Sequence, residues 1–103
     1  MTDNGRIYKG CNIENASYGL TNCAERTAIF KAVSEGQTNL TAIAVVADTE
    51  KPVAPCGACR QVIAEFKINK IILCNLKGDR REVSLAELLP FSFSNTDLTG
   101  VEK

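Results

Sequence analysis

The sequence predicts an α/β fold in which helices lie over a β-sheet, within one domain spanning residues 1–103. Strand-like and helix-like segments alternate along the chain in the order strand, helix, strand, helix, strand. Hydrophobic residues make up 45% of the 103 positions, which suits a packed core and argues against disorder. The length fits a single domain with a thin core.

The first half of the chain predicts a turn, a strand and a helix. An Asn-Gly pair at 4–5 is a strong hairpin signal, and a strand is expected after it over 6–13, although only three residues precede the turn. Asn22 and Glu25 form a capping-box pattern that begins a helix, and Gly36 is placed to end it.

The second half predicts two buried strands with a helix between them. Nearly continuous apolar runs indicate strands at 40–47 and 70–74. Pro55 suits the first position of the intervening helix. The remaining elements are a short strand over 82–85, a short helix capped by Ser84 and Glu87 and stopped by Pro90, and a polar tail from Thr96 that we expect to fray.

Charge and composition exclude several classes of function. The chain carries 12 Lys and Arg, 12 Asp and Glu, and no His. The absence of histidine rules out a Ser-His-Asp triad, a Cys-His pair and histidine metal ligands, and zero net charge argues against polynucleotide binding. No apolar run has the length of a membrane span, and no secretory signal opens the chain. We therefore expect a cytoplasmic protein without membrane or polynucleotide partners.

Five cysteines supply the chemistry that remains. Cys23 stands at the start of the first predicted helix, while Cys56 and Cys59 stand three residues apart at the start of the second. Helix starts favour thiolates, so these three residues predict a zinc site whose fourth position is left for water, as in catalytic zinc centres. Cys11 and Cys74 are expected to be small buried apolar groups.

A carboxylate accompanies this cysteine cluster. Glu25 lies two residues after Cys23, close enough to exchange a proton with zinc-bound water. A Cys-x-Glu motif followed by Pro-Cys-x-x-Cys is a signature of zinc deaminases. Three other interpretations stay open: a structural zinc with a fourth sulfur from Cys11 or Cys74, a redox-active Cys-x-x-Cys pair, or a Glu25 that only caps its helix.

Further motifs extend this pattern along the chain. They are Asn-Ile-Glu-Asn at 12–15, Cys-Ala-Glu-Arg-Thr-Ala at 23–28, Pro-Cys-Gly-Ala-Cys-Arg-Gln at 55–61, and Glu-Leu-Leu-Pro at 87–90 with Phe93. Together they resemble the small, tetrameric, zinc-dependent cytidine deaminases from about Thr2 to Leu98. The resemblance implies a three-layer fold with a mixed β-sheet, here without the family's first helix and first strand.

The resemblance also implies a role for each matching residue. Zinc would be bound by Cys23, Cys56 and Cys59, with Glu25 as the proton shuttle. The other implied roles are ribose binding by Asn12 and Glu14, a backbone contact of Ala24 with the pyrimidine edge, donation from Arg26 to the zinc-bound thiolates, and subunit contacts at Tyr18 and Phe93, with Phe93 reaching a neighbour's base pocket.

The implied reaction is hydrolytic deamination of free cytidine or deoxycytidine to uridine or deoxyuridine and ammonia, in pyrimidine salvage. Glu25 would move a proton from zinc-bound water to N3 while hydroxide attacks C4. The implied cofactor is Zn²⁺ and the implied assembly a homotetramer.

Two departures from the family pattern bear on turnover. Phe91-Ser92 stands where the family commonly has Gly-Ala. The family's pocket phenylalanine belongs to the first segment, which this chain lacks, so weak deamination or none is expected. The alternative is an inactive relative that binds zinc structurally or acts as an interaction module.

Overall fold

The structure of the protein is a computed structural model, and it describes residues 1–91 and 93. A short 3₁₀ helix at Tyr18–Leu20 precedes the regular elements. In chain order these are helix α1 (Ala24–Ser34), strand β1 (Ala42–Ala47), helix α2 (Gly57–Glu65), strand β2 (Lys70–Asn75), strand β3 (Arg80–Val83) and helix α3 (Leu85–Leu88). None of the helices in these residues is long and apolar enough to cross a membrane.

The described strands form one mixed sheet in the order β1-β2-β3. Strands β1 and β2 run parallel, with Ala42 opposite Lys70, and α2 makes the crossover that a parallel pair requires. Strand β3 runs antiparallel to β2, with Ile71 opposite Val83. The mixed sheet with helices that the sequence predicted is confirmed.

The core lies where the helices meet β2. Along this strand Ile71 and Leu73 are buried while Ile72 and Cys74 are only half-buried, the alternation that a strand with one well-covered face produces. The buried apolar cluster draws side chains from all three helices, from β2 and β3, and from the loops: Ile29, Ala32, Leu40, Ile63, Ile68, Ile71, Leu73, Val83 and Leu88. The helices that carry the predicted metal ligands are therefore fixed to the sheet through the same core.

The prediction of a strand over 6–13 is wrong, because no strand forms there. The Asn-Gly turn before it does form, because the Thr2 amide donates to the Arg6 carbonyl at 2.9 Å and Gly5 adopts a φ of +84°. The residues after the turn have no strand pairing until Ile13, which makes an isolated antiparallel bridge with Asn22. A cavity of about 610 Å³ lies between this segment and the edge of β1, so the two backbones are not adjacent.

Both predicted helix starts need correction. Helix α1 begins at Ala24 with Cys23 at the N-cap, and α2 begins at Gly57 with Cys56 at the N-cap. The Asn22 backbone is instead used in the bridge to Ile13, and Pro55 lies before the cap. The third cap is confirmed: Ser84 and Glu87 form a complete capping box on α3. The predicted short strand is found slightly earlier, as β3, and the polar tail from Thr96 lies outside the described residues.

Candidate metal centre and active site

Three cysteine sulfurs meet where the N-termini of α1 and α2 come together. The Sγ atoms of Cys23 and Cys56 lie 3.7 Å apart, and those of Cys56 and Cys59 lie 3.4 Å apart. All three sulfurs lie within 4.8 Å of one another. Cys23 and Cys56 are the N-cap residues of their helices, while Cys59 is buried in the first turn of α2. The sequence-predicted ligands are therefore brought together.

The spacing of these sulfurs fits a tetrahedral zinc site. Zn–S bonds of about 2.3 Å at tetrahedral angles place two ligand sulfurs roughly 3.8 Å apart. Three sulfur donors leave the fourth coordination position to water or substrate, which is the arrangement of catalytic zinc centres.

The two remaining cysteines lie outside this cluster. Among the described residues, the metal-ligand grouping contains neither Cys11 nor Cys74, so neither supplies a fourth sulfur for a structural site. Their predicted burial is also wrong. Cys11 is exposed because its segment is not covered by a paired strand, and Cys74 is half-buried on the less covered side of β2.

The two cysteines of α2 differ in acidity. The backbone N–H of Cys59 donates to the Cys56 sulfur and lowers the pKa of that thiol, an effect typical of helix N-termini. Burial raises the pKa of the Cys59 thiol, and the nearby Glu25 carboxylate raises it further. A bound metal ion would favour the thiolate form of all three cysteines.

Arg26 lies against the sulfurs. Its Nη2 is 3.6 Å from the Sγ of Cys23 and 3.5 Å from the carbonyl oxygen of Thr21. Hydrogen bonds to the Cys23 and Cys59 thiols raise the pKa of the guanidinium. Within the described part of the chain, its Nε is a buried nitrogen without a hydrogen-bond partner. With zinc bound, this fixed positive charge would offset the net negative charge that three thiolates give a Zn²⁺ centre.

Glu25 connects the sulfur cluster to the cavity. It is the second residue of α1, half-buried, and it lines the cavity of about 610 Å³ together with Gly10, Ala24 and Ala28. Glu25 is two residues from Cys23 along the chain, and its charge contributes to raising the pKa of the Cys59 thiol, as expected for a carboxylate near the sulfurs. An acid–base group thus lies beside the metal ligands and faces a space large enough for a small molecule.

The segment that contains Asn12 and Glu14 is held beside the start of α1. The bridge between Ile13 and Asn22 fixes its backbone, and the Asn12 Oδ1 accepts a hydrogen bond of 2.8 Å from the Ala24 amide. Asn12 therefore acts as a cap for α1, a role that sequence reasoning missed because the cap comes from a distant segment. Glu14 is exposed on the same segment.

Tyr18 and Phe93 are exposed aromatic residues in this chain. Tyr18 is 89% exposed on the short 3₁₀ helix, and Phe93 is 57% exposed. The Phe93 carbonyl accepts a hydrogen bond of 2.8 Å from the Gln61 side chain, so its backbone is tied to the helix that carries Cys56 and Cys59. The described lining of the cavity includes neither aromatic side chain.

Fold and site together define an α/β metalloprotein with a three-cysteine centre at two helix starts and an adjacent glutamate. The family model described as "Cytidine and deoxycytidylate deaminase zinc-binding region" matches residues 1–75. The chain therefore belongs to this family of zinc-binding proteins, as the motif resemblance implied.

Individual relatives agree with the family match. The chain is 60% identical over 101 residues to a cytidine deaminase of Sporosarcina psychrophila, covering 96% of this chain and 74% of the relative. It is 60% identical over 100 residues to a cytidine deaminase of Halalkalibacterium halodurans, covering 95% and 76%. The crystal structure of a cytidine deaminase from Burkholderia pseudomallei superimposes with a TM-score of 0.86 at 50% identity, covering 90% of this chain and 76% of that one.

Proposed function

We propose that the chain catalyses hydrolytic deamination of cytidine and deoxycytidine, releasing ammonia and the corresponding uridine. The observation that carries this proposal is the Glu25 carboxylate, which lies beside three converging cysteine sulfurs and lines a cavity of about 610 Å³. That volume falls within the usual range of small-molecule sites. The relatives named cytidine deaminase support the choice of substrate.

Different residues are proposed to hold the metal and to move the protons. Cys23, Cys56 and Cys59 hold the metal. Bound zinc supplies a Lewis acid that lowers the pKa of water and so provides a nucleophile at neutral pH. Glu25 accepts the proton of the attacking water and delivers it to N3 of the pyrimidine. The oxygen of that water bonds to C4. Glu25 then takes the proton of the resulting C4 hydroxyl group and passes it to the 4-amino group, which leaves as ammonia when the C4–N bond breaks and the C4 carbonyl forms.

Substrate contacts are proposed for Asn12, Glu14, Ala24 and Phe93. The first three lie on or beside the start of α1, next to Glu25, which supports their assignment to one nucleoside. Because Asn12 accepts the Ala24 N–H, a pyrimidine carbonyl reaches that N–H only after the Asn12 side chain turns away. Asn12 and Glu14 then bind the ribose hydroxyls. Phe93 contributes from a neighbouring subunit, which its exposure permits.

A free nucleoside is the proposed substrate, and the role is pyrimidine salvage in the cytoplasm. Zero net charge supports a substrate other than a polynucleotide. Two lysines near the β2–β3 hairpin are already paired, Lys70 with Glu82 and Lys77 with Glu50. None of the five cysteines forms a disulfide bond, which suits a reducing cytoplasm.

A homotetramer is the proposed assembly. Large apolar side chains are exposed at several places in the described chain: Ile7, Ile13, Tyr18, Leu20, Val46, Phe91 and Phe93. Exposed apolar side chains in this number favour burial between subunits, and Tyr18 and Phe93 are proposed to lie in those contacts. Sedimentation equilibrium tests this assembly, and a stable monomer at micromolar concentration would contradict it.

A turnover assay on the zinc-loaded chain tests the proposed activity. The expected result is zinc-dependent release of ammonia from cytidine, slower than that of the Sporosarcina psychrophila relative assayed in parallel. The matched control is Glu25→Gln, which keeps size and hydrogen bonding but cannot take up a proton. Ammonia release no faster than that of this control would contradict the proposal and favour an inactive zinc-binding relative.

A further inference from the structure

The Arg60 side chain holds the peptide group before the metal ligand Cys56, and the Arg60 main chain makes the ordinary helical bond to the peptide group after it. Its side-chain Nε donates to the carbonyl of Pro55 at 2.9 Å, and its backbone N–H donates to the carbonyl of Cys56 at 2.9 Å. The first bond fixes the peptide plane before Cys56 and the second fixes the plane after it. These two planes set the direction of the Cys56 Cα–Cβ bond, from which one further rotation places the sulfur.

The same guanidinium is anchored to the core. Its Nη1 donates to the carbonyl of Leu88 at 2.7 Å, and Leu88 is a buried residue at the end of α3. Carbonyls in the last turn of a helix have no partner within that helix, so this one is free to accept the bond. Arg60 is itself half-buried, so its bonds are shielded from the competition that weakens surface contacts.

Arg60 differs in kind from Arg26, which touches the sulfurs themselves. The Arg60 guanidinium bonds carbonyls on two separate elements, the turn before α2 and the end of α3. A planar fork of donors can hold two carbonyls at fixed angles, whereas the point charge of lysine on a flexible stem cannot. The geometry at Arg60 therefore controls the placement of a ligand and not its charge.

We propose that Arg60 is a positioning residue for Cys56. It holds the sulfur in the orientation that binds zinc, and its bond to α3 anchors that orientation to the core. This inference rests on the zinc centre of the proposed function but does not depend on which substrate the centre serves. Removing such an outer support typically costs 10–100-fold in metal affinity. The site of an Arg60 variant should therefore release zinc faster and hold it in a less regular geometry.

Zinc release to a chromogenic chelator measures the first effect. We expect Arg60→Ala to release zinc 10–100-fold faster than the wild-type chain. Arg60→Lys should release it at a rate between those of Arg60→Ala and the wild type. The matched control is Gln61→Ala, because the neighbouring Gln61 side chain donates to the Phe93 carbonyl and has no hydrogen bond to a proposed metal ligand among the described residues. Its release rate should equal that of the wild type.

Cobalt substitution measures the geometry of the metal site itself. A residue that only stabilised the fold would not change the cobalt spectrum. The thiolate-to-cobalt charge-transfer and ligand-field bands should shift in Arg60→Ala and remain unchanged in Gln61→Ala.

If Arg60→Ala fails to fold, Arg60→Lys is compared in the same two experiments. Wild-type release rates and cobalt spectra in every Arg60 variant that folds would overturn the proposal, as would a wild-type chain that binds neither metal. A chain that shows these effects but no deamination would overturn only the proposed activity.

Discussion

Substitution of Gly10 tests how closely the segment after the Asn-Gly turn lies against α1. A Cβ atom at Gly10 would lie 2.5 Å from the carbonyl oxygen of Ala24 and 2.6 Å from the backbone nitrogen of Ala28. Both atoms belong to the helix backbone and cannot rotate away. Since real Cβ atoms essentially never show contacts below 3.0 Å, the segment must move by at least about 0.5 Å in Gly10→Ala.

The cost of this movement can be bounded from the contacts near it. Forced overpacking of a tight contact typically costs about 1–3 kcal/mol. The hydrogen bond from Ala24 to Asn12, two residues along the same segment, weakens as the segment shifts. We expect Gly10→Ala to lower the free energy of unfolding by about 1–3 kcal/mol and to raise KM for cytidine. Its zinc content should stay unchanged, because the three sulfurs belong to the N-caps of α1 and α2 and the first turn of α2, outside the segment that is displaced.

Urea unfolding followed by circular dichroism, together with metal analysis, checks these expectations. Gly19→Ala is the matched control, since a Cβ there meets nothing within 4 Å and the backbone is not in the left-handed region. This control should unfold like the wild-type chain. If Gly10→Ala also unfolds like the wild type, the segment does not lie against α1 as described and the reasoning is refuted.

Three further predictions concern the metal, the catalytic proton and a helix cap. Cys23→Ala should abolish zinc binding as measured by metal analysis, whereas Cys74→Ala should retain about one zinc per chain; undiminished zinc in the former would remove Cys23 as a ligand. Glu25→Gln should keep zinc and lose about 10²–10⁴-fold in deamination rate, and near-normal turnover would exclude Glu25 from proton transfer. The Ser84 backbone N–H lowers the pKa of Glu87, so this carboxylate stabilises the fold above its unfolded-state pKa and loses that effect as pH falls through its folded-state pKa. Urea unfolding should therefore find Glu87→Gln less stable than the wild type at neutral pH but not in acid, and a difference independent of pH would contradict this cause.

The sequence by itself determined the features that depend on a few consecutive residues. The capping box at Ser84 and Glu87 needs only side chains three positions apart, and it forms as predicted. The apolar runs gave β1 and β2 nearly their observed bounds, because runs of that length are long enough for a strand and too short for a helix. The predicted burial is correct only for β2, since β1 lies at the edge of the described sheet and has no buried residue. The spacing of Cys56 and Cys59 places their sulfurs on one helical turn, whatever the rest of the chain does.

Only the tertiary structure decided the contacts between distant segments. Asn12 caps α1 in place of Asn22, and the segment 6–12 remains unpaired because a cavity separates it from β1. The bonds from Arg60 to Pro55 and Leu88 likewise depend on how α2 and α3 pack on the sheet. Such contacts have no local signal, since a polar side chain finds its partner only after the core has fixed the distance between the elements.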